Sequence, residues 1–147
     1  MDKPLSVWYC DTCGEKIDDV GKGYVIWRSE GHPHDFKVIH QRDCDQKDHT
    51  SSAALKDFLG PQGLSYCMTF LSAGPIIHNL SGSSDQPQPN LSEFADFVRR
   101  VQVPYYEQAR RSFANPELLS DFSDWNEFGP YIPDELERIA RDYTGGR

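Results

Sequence analysis

A thiol pair near one end of the chain, Cys10-Asp11-Thr12-Cys13-Gly14, is answered further on by His40 and Cys44, four residues apart. Two thiolates, an imidazole and a third thiolate form a complete tetrahedral ligand set for zinc. Any fold that unites the two pairs has to return position 40 to position 13 across 26 intervening residues. With all four positions taken by protein, such a site has no open coordination position and reads as a staple, not a catalytic centre. The expected ligands are therefore Cys10, Cys13, His40 and Cys44, with Zn2+ as a structural cofactor. His32, His34, His49 and Cys67 are the rival ligands in sequence. Cys67, in an apolar helical stretch, reads as a small buried hydrophobe.

The intervening residues supply a route for the return. Tyr24-Val25-Ile26-Trp27 and Phe36-Lys37-Val38-Ile39-His40 are rich in β-branched and aromatic residues, and the polar segment Arg28–Asp35 between them contains Gly31 and Pro33. This pattern predicts a β-hairpin. The chain runs out and back, so His40 ends beside Gly23, close to the thiol pair. Gly14 suits the tight turn after Cys13, where unusual backbone dihedrals are needed.

Beyond Cys44 the expected elements are helical. One helix is expected over Ala53–Leu59 and stops at Gly60-Pro61; another, over Leu64–Leu71, stops at Gly74-Pro75. Ser81–Pro89 is rich in Ser, Gln and Pro and reads as a linker or exposed loop. Asn90 caps a third helix, with Glu93 three residues on and Leu91, Phe94, Phe97, Val98 and Val101 on one face. Pro104 opens a fourth helix, with Tyr106, Ala109 and Phe113 inward. A short irregular helix around Leu118 and Leu119 and a final helix from Pro133 complete the set; Glu137 and Arg141 are expected to pair on its surface. The predicted class is α+β: a zinc-stapled β-hairpin module (residues 1–50), a helical hairpin (51–80), a linker or exposed loop (81–90) and a helical region (91–147).

The 147 residues, 12% of them aromatic, can bury a core and do not read as a disordered chain. The start of the chain has no apolar segment of signal-peptide type, and four cysteines in a metal-ligand pattern fit a reducing compartment, so a cytoplasmic location is expected. Net charge is −8, which opposes nucleic-acid backbone at long range. It is unevenly laid out: Arg99, Arg100, Arg110 and Arg111 are followed by Glu117, Asp121, Asp124, Glu127, Asp134, Glu135 and Glu137 with no Lys or Arg among those carboxylates.

Over residues 7–46 the C-x-x-C-G knuckle, the hairpin and the second ligand pair resemble the treble-clef and zinc-ribbon group of zinc-binding modules. The resemblance implies a metal-built module and carries Cys10 and Cys13, with His40 and Cys44 as the second pair. It departs in placing that pair after a strand, whereas treble clefs usually use a helix start. Such modules bind nucleic acid, bind protein or merely hold a fold together, so the resemblance fixes no activity.

Three functions remain open. The first is a non-enzymatic, zinc-stabilised interaction or regulatory module, inhibitor- or immunity-like, meeting a basic protein through Trp125, Phe128 and Tyr131 among Asp121, Asp124 and Glu127. The second is a nucleic-acid-binding zinc protein that uses Arg99, Arg100, Arg110 and Arg111. The third is a metal-dependent hydrolase or nuclease built on His32, His34 and Asp35. The sequence lacks the phosphate-binding G-x-x-x-x-G-K-S/T loop, the G-x-S-x-G elbow and H-E-x-x-H. The first reading is the leading one, and membrane association is not expected.

Overall fold

A computed structural model describes residues 1–143, so the last four residues of the predicted 91–147 region lie outside the described residues. The class is α+β. Two short strands, β1 (Trp8–Tyr9) and β2 (Lys16–Ile17), pair antiparallel around the Cys10–Gly14 turn. The predicted hairpin follows as β3 (Gly23–Arg28) and β4 (His34–His40), in register from Gly23 opposite His40 to Val25 opposite Val38. His40 thus closes the hairpin at the end nearest the knuckle, as the sequence requires.

The helix expected over Ala53–Leu59 does not form. Ser51–Ala54 is instead a strand, β5, on the free edge of β3, giving the sheet order β4-β3-β5. Leu55–Phe58 then makes a 3-10 turn that places Leu55 and Phe58 in the core. Local helical spacing is overridden because β5 satisfies the open backbone edge of the buried central strand.

Both Gly-Pro pairs expected to stop helices start them. α1 (Gly60–Thr69) and α2 (Gly74–Ser81) each carry Pro in the first turn, where its missing N–H costs no hydrogen bond. Residues 83–90 form no regular element. They are tied back where Ala73 N donates to Ser84 O at 3.0 Å and Gln88 Nε2 donates to Leu71 O at 2.7 Å.

The remaining helices are α3 (Leu91–Gln102), α4 (Tyr106–Arg110), α5 (Pro116–Asp121) and α6 (Pro133–Asp142). Asn90 caps α3 through Glu93 N at 3.0 Å. The Glu93 carboxylate leaves its own cap and accepts from Phe36 N at 3.0 Å, joining α3 to β4. Leu91 lies outside the expected buried face and is exposed. α4 begins at Tyr106, later than Pro104, because Tyr105 takes a left-handed conformation, φ +67°. Asn115 caps α5 and Pro116 opens it. Arg141 pairs with Asp142 at 3.0 Å, and Glu137 instead accepts from Tyr105.

The main core draws on the strands, the 3-10 turn, α1 and α3, from Trp8 to Val101. Trp27, Phe36, Phe58, Phe70, Phe94 and Phe97 stack or meet edge-on at centroid separations of 5.0–6.3 Å, binding the sheet to α1 and α3. Gly63 is a packing glycine: a Cβ there would lie 2.0 Å from the Phe58 carbonyl carbon. A second, smaller cluster joins α4, α5 and α6 through Tyr106, Ala109, Leu118, Leu136 and Ile139.

Candidate metal centre

The β1–β2 knuckle is shaped around sulfur. Cys10 N donates to Glu15 O and Gly14 N to Cys10 O, each at 2.9 Å, with Gly14 at φ +78°. The turn thereby aims Thr12 N and Cys13 N at Cys10 Sγ, at 3.4 and 3.5 Å, and Glu15 N at Cys13 Sγ, at 3.4 Å. Thr12 Oγ1 donates to Cys44 O at 2.7 Å and so clamps the two ligand pairs together.

The predicted ligands Cys10, Cys13, His40 and Cys44 meet, with their ligand atoms all within 4.8 Å of one another, and this group could hold a metal ion. His40 Nδ1 stands 3.4 Å from Cys13 Sγ and 3.8 Å from Cys44 Sγ. A tetrahedral ion with metal–sulfur and metal–nitrogen distances of about 2.3 and 2.0–2.1 Å has ligand–ligand edges of about 3.3–3.8 Å. Closing on an ion therefore draws the widest pair inward by no more than about 1 Å. The outer ring nitrogen, His40 Nε2, lies 3.1 Å from Lys16 O. Donating there, it leaves Nδ1 as the lone-pair nitrogen facing the sulfurs, the tautomer a metal needs.

The electrostatics of the metal-free cluster fit the same use. Burial opposes ionisation of Cys10, but the N–H groups of Cys13, His40 and Thr12 and the His40 ring outweigh it and bring its thiol down to about 6. Burial and the neighbouring sulfurs push Cys44 up to about 12. Burial works against His40 protonation, and the Cys10 sulfur more than offsets it, raising the imidazole above its ordinary range. One anion is thus favoured, and a cation is the species that would allow more.

The knuckle also faces inward, onto a buried ion cluster that the sequence did not reveal. Arg100 is 3% exposed; its Nε and Nη2 donate to the two Glu107 oxygens at 2.8 Å each, and Nη1 donates to Asp11 Oδ2 at 2.7 Å. Asp11 is the first residue inside the Cys-x-x-Cys turn and also accepts from Val38 N at 2.8 Å. Glu107 accepts from Tyr9 N at 3.0 Å, and Trp8 Nε1 donates to Arg100 O at 3.0 Å. Burial disfavours the guanidinium charge, and the Glu107 and Asp11 carboxylates more than restore it, so Arg100 is held charged more strongly than a free arginine.

This cluster takes one member out of the expected basic row and leaves the other three at least partly at the surface. Arg100 is interior, Arg110 Nε lies 3.7 Å from Glu107, and Arg111 and Arg99 cover the rings of Tyr9 and Tyr131 at 4.1 and 4.9 Å. Around the axis of α3, position 100 lies beside Phe97 on the side away from Val101, so it flanks the apolar stripe and the spacing alone does not mark it as interior.

The histidine loop is not assembled as a metal site either. His32 and His34 stack on each other at 4.7 Å, and Asp35 lies 3.5 Å from both Arg28 and Lys37 and 2.9 Å from His49. Among the described residues, the Cys10 group is the cluster of His, Cys, Asp or Glu side chains that could hold a metal ion. His49, a rival ligand in sequence, is buried between Asp35 and Asp48. Cys67 is fully buried, and burial pushes its thiol up to about 11.

At the acidic end, Trp125 and Phe128 are 44% and 71% exposed, with Asp121, Asp124 and Glu127 exposed around them. Tyr131 belongs partly to the fold, since it meets Tyr106 and Phe113 at 6.2 Å and lies under Arg99. Among the described residues, no helix is long and apolar enough to cross a membrane. Comparison of the chain with protein-family models, with curated proteins and with solved structures returns no significant match.

Proposed function

We propose that this protein is a non-enzymatic, zinc-stapled interaction module. The observation that carries the reading is the convergence of four protein ligands, Cys10, Cys13, His40 and Cys44, which leaves a tetrahedral ion no position for water or substrate. Three thiolates and one imidazole favour zinc over the hard cations, which take oxygen ligands. The four cysteines are unbridged, which suits a reducing, cytoplasmic setting. The knuckle, hairpin and second ligand pair support kinship of design with zinc ribbons. It is less close to treble clefs, because Cys44 is followed by a strand and the first α-helix starts only at Gly60.

The working surface is the acidic end, where Trp125 and Phe128 stand among carboxylates. A basic partner protein would be steered in by charge and anchored by the two rings.

Metal analysis of the purified chain under reducing conditions tests the staple. About one zinc per chain is expected, released by Cys13→Ser together with a fall in melting temperature. A chain that melts identically with and without zinc would show that the ion does not hold the fold.

A further inference from the structure

The cysteines of this chain differ sharply in their access to water. Cys13 is exposed, whereas Cys10 and Cys44 are 3% and 9% exposed and Cys67, outside the ligand group, is fully buried. A cysteine that ligates a cation is held as its thiolate, and the thiolate is the nucleophilic form of cysteine. Within the ligand group, Cys13 is therefore the sulfur that a small oxidant can reach from solvent.

The knuckle also places a second sulfur within reach of the first. Cys10 and Cys13 hang from one turn, in which Gly14 N donates to Cys10 O at 2.9 Å and Cys13 N to Cys10 Sγ at 3.5 Å. The ligand atoms of the group lie within 4.8 Å of one another. A disulfide of about 2.05 Å thus asks the two sulfurs to close by no more than about 3 Å, a distance side-chain rotation can supply. Cys44 is worse placed to compete: it is buried, and it stands on the separate segment after β4, where its carbonyl is held by Thr12 Oγ1 at 2.7 Å. An accessible thiolate beside a resolving cysteine is the arrangement found at redox-sensing sites.

We propose that Cys13 is a site of oxidation by hydroperoxides and that Cys10 resolves it, which makes the knuckle an oxidant-sensitive release for the zinc staple; the inference rests on the staple proposed above. Cys13 Sγ attacks one oxygen of hydrogen peroxide, so that an S–O bond forms, the O–O bond breaks and hydroxide leaves. Cys10 Sγ then attacks Cys13 Sγ; the S–S bond forms, the S–O bond breaks and a second hydroxide leaves. The two thiolates give up two electrons, the peroxide takes them, and both hydroxides are protonated by solvent. The bridged sulfurs are no longer thiolate ligands. His40 and Cys44 remain as half of a tetrahedral set and do not retain the ion. A dithiol reductant reopens the bridge by thiol–disulfide exchange.

The test is titration of the reduced, zinc-loaded chain with hydrogen peroxide, beside a chromophoric chelator too weak to strip the untreated site. About one zinc per chain is expected to be freed, while the count of free thiols falls by half. The tryptic peptide ending at Lys16, which holds both Cys10 and Cys13, is expected to lose the mass of two hydrogens. Dithiothreitol with added zinc is expected to restore all three readings. Cys13→His keeps four ligands but cannot form the bridge, so it is expected to hold its zinc through the same treatment. A chain purified under reducing conditions that binds no zinc would remove the staple, and the switch with it. Where zinc is bound, three results would each overturn the switch alone: zinc that stays in place under peroxide, a bridge mapped to any pair other than Cys10 and Cys13, or a Cys13→His variant that loses zinc as the wild type does. If Cys13→His binds no zinc from the start, the wild-type peptide map decides.

Discussion

Breaking the buried ion cluster one residue at a time should cost far more than removing the pair. In Glu107→Leu the Arg100 guanidinium keeps only one Asp11 oxygen at 2.7 Å and the Tyr9 carbonyl at 3.3 Å, at a site where its side chain is 4% exposed. In Arg100→Met the Glu107 carboxylate keeps Tyr9 N and the more distant Arg110, with its side chain 3% exposed. Loss of one member of a buried ion pair typically costs about 3–5 kcal/mol, whereas replacing both by well-packed apolar groups is often close to neutral. Each single variant should therefore lose about 3–5 kcal/mol and the double variant less than about 2. For a chain of this size, 1 kcal/mol moves the melting temperature by roughly 2–4 °C, so each single variant should melt about 6–20 °C lower. Urea unfolding with zinc in excess, followed by tryptophan fluorescence, is the assay. Trp8 is fully buried and bonded to the Arg100 carbonyl, so it reports directly on this region. The reasoning is refuted if each single variant costs under about 1 kcal/mol, or if the double variant loses the sum of the two singles.

Zinc affinity should fall as pH falls, by about tenfold per pH unit for each proton expelled on binding. Burial and the neighbouring sulfurs favour the neutral Cys44 thiol, so binding should expel its proton; competition with a chromophoric chelator at three pH values measures the slope, and a flat profile would contradict the site. Without metal the signs differ between the two cysteines. Cys10, lowered from 9.0 to about 6, contributes stability that is complete above about 9 and lost as pH falls through about 6, while Cys44, raised from 9.0 to about 12, costs stability as pH climbs between those values. Gly63→Ala should destabilise by about 1–3 kcal/mol or more in urea unfolding, because the added carbon meets backbone at Phe58 that has no rotamer to yield; a change under about 0.5 would mean that α1 seats differently. Trp125→Ala with Phe128→Ala should abolish co-purification of a basic partner from host extract while leaving zinc content unchanged. Partner recovery equal to that of the wild type would remove the acidic end as the binding face.

The parts of this fold that could be read from the sequence are those in which one signal acts alone. Ligand spacing and β-rich runs led to His40 beside Gly23, because a hairpin between two covalently fixed points has little freedom. Gly60-Pro61 and Gly74-Pro75 misled because Gly-Pro suits the end of one element and the first turn of the next equally well, and only tertiary packing decides. Ala53-Ala54-Leu55 has helical spacing, yet the vacant edge of β3 claims its backbone. Arg100 could not be paired from sequence, since its partners stand seven residues away in Glu107 and eighty-nine away in Asp11.

Asp11 explains why the metal centre and the helices should behave as one unit. It lies between the two ligands of the knuckle, and its carboxylate is shared by Val38 N on β4 and Arg100 on α3. The buried cluster sets the Asp11 and Glu107 carboxylates against Arg100, with Arg110 3.7 Å from Glu107, while a divalent ion with three thiolates and a neutral imidazole would carry a net −1. The knuckle backbone serves both groups: Tyr9 N faces Glu107, while Thr12, Cys13 and Glu15 N face sulfur. Those donors converge only while the turn keeps its shape. The expectation is that metal loss gives this turn more freedom, and that Asp11, fixed to the turn, then holds Arg100 less firmly. Stripping the ion should therefore loosen α3 and α4 together with the knuckle, visible as faster amide exchange at Val101 and Ala109. If exchange quickened only between Trp8 and Cys44, the two centres would be independent.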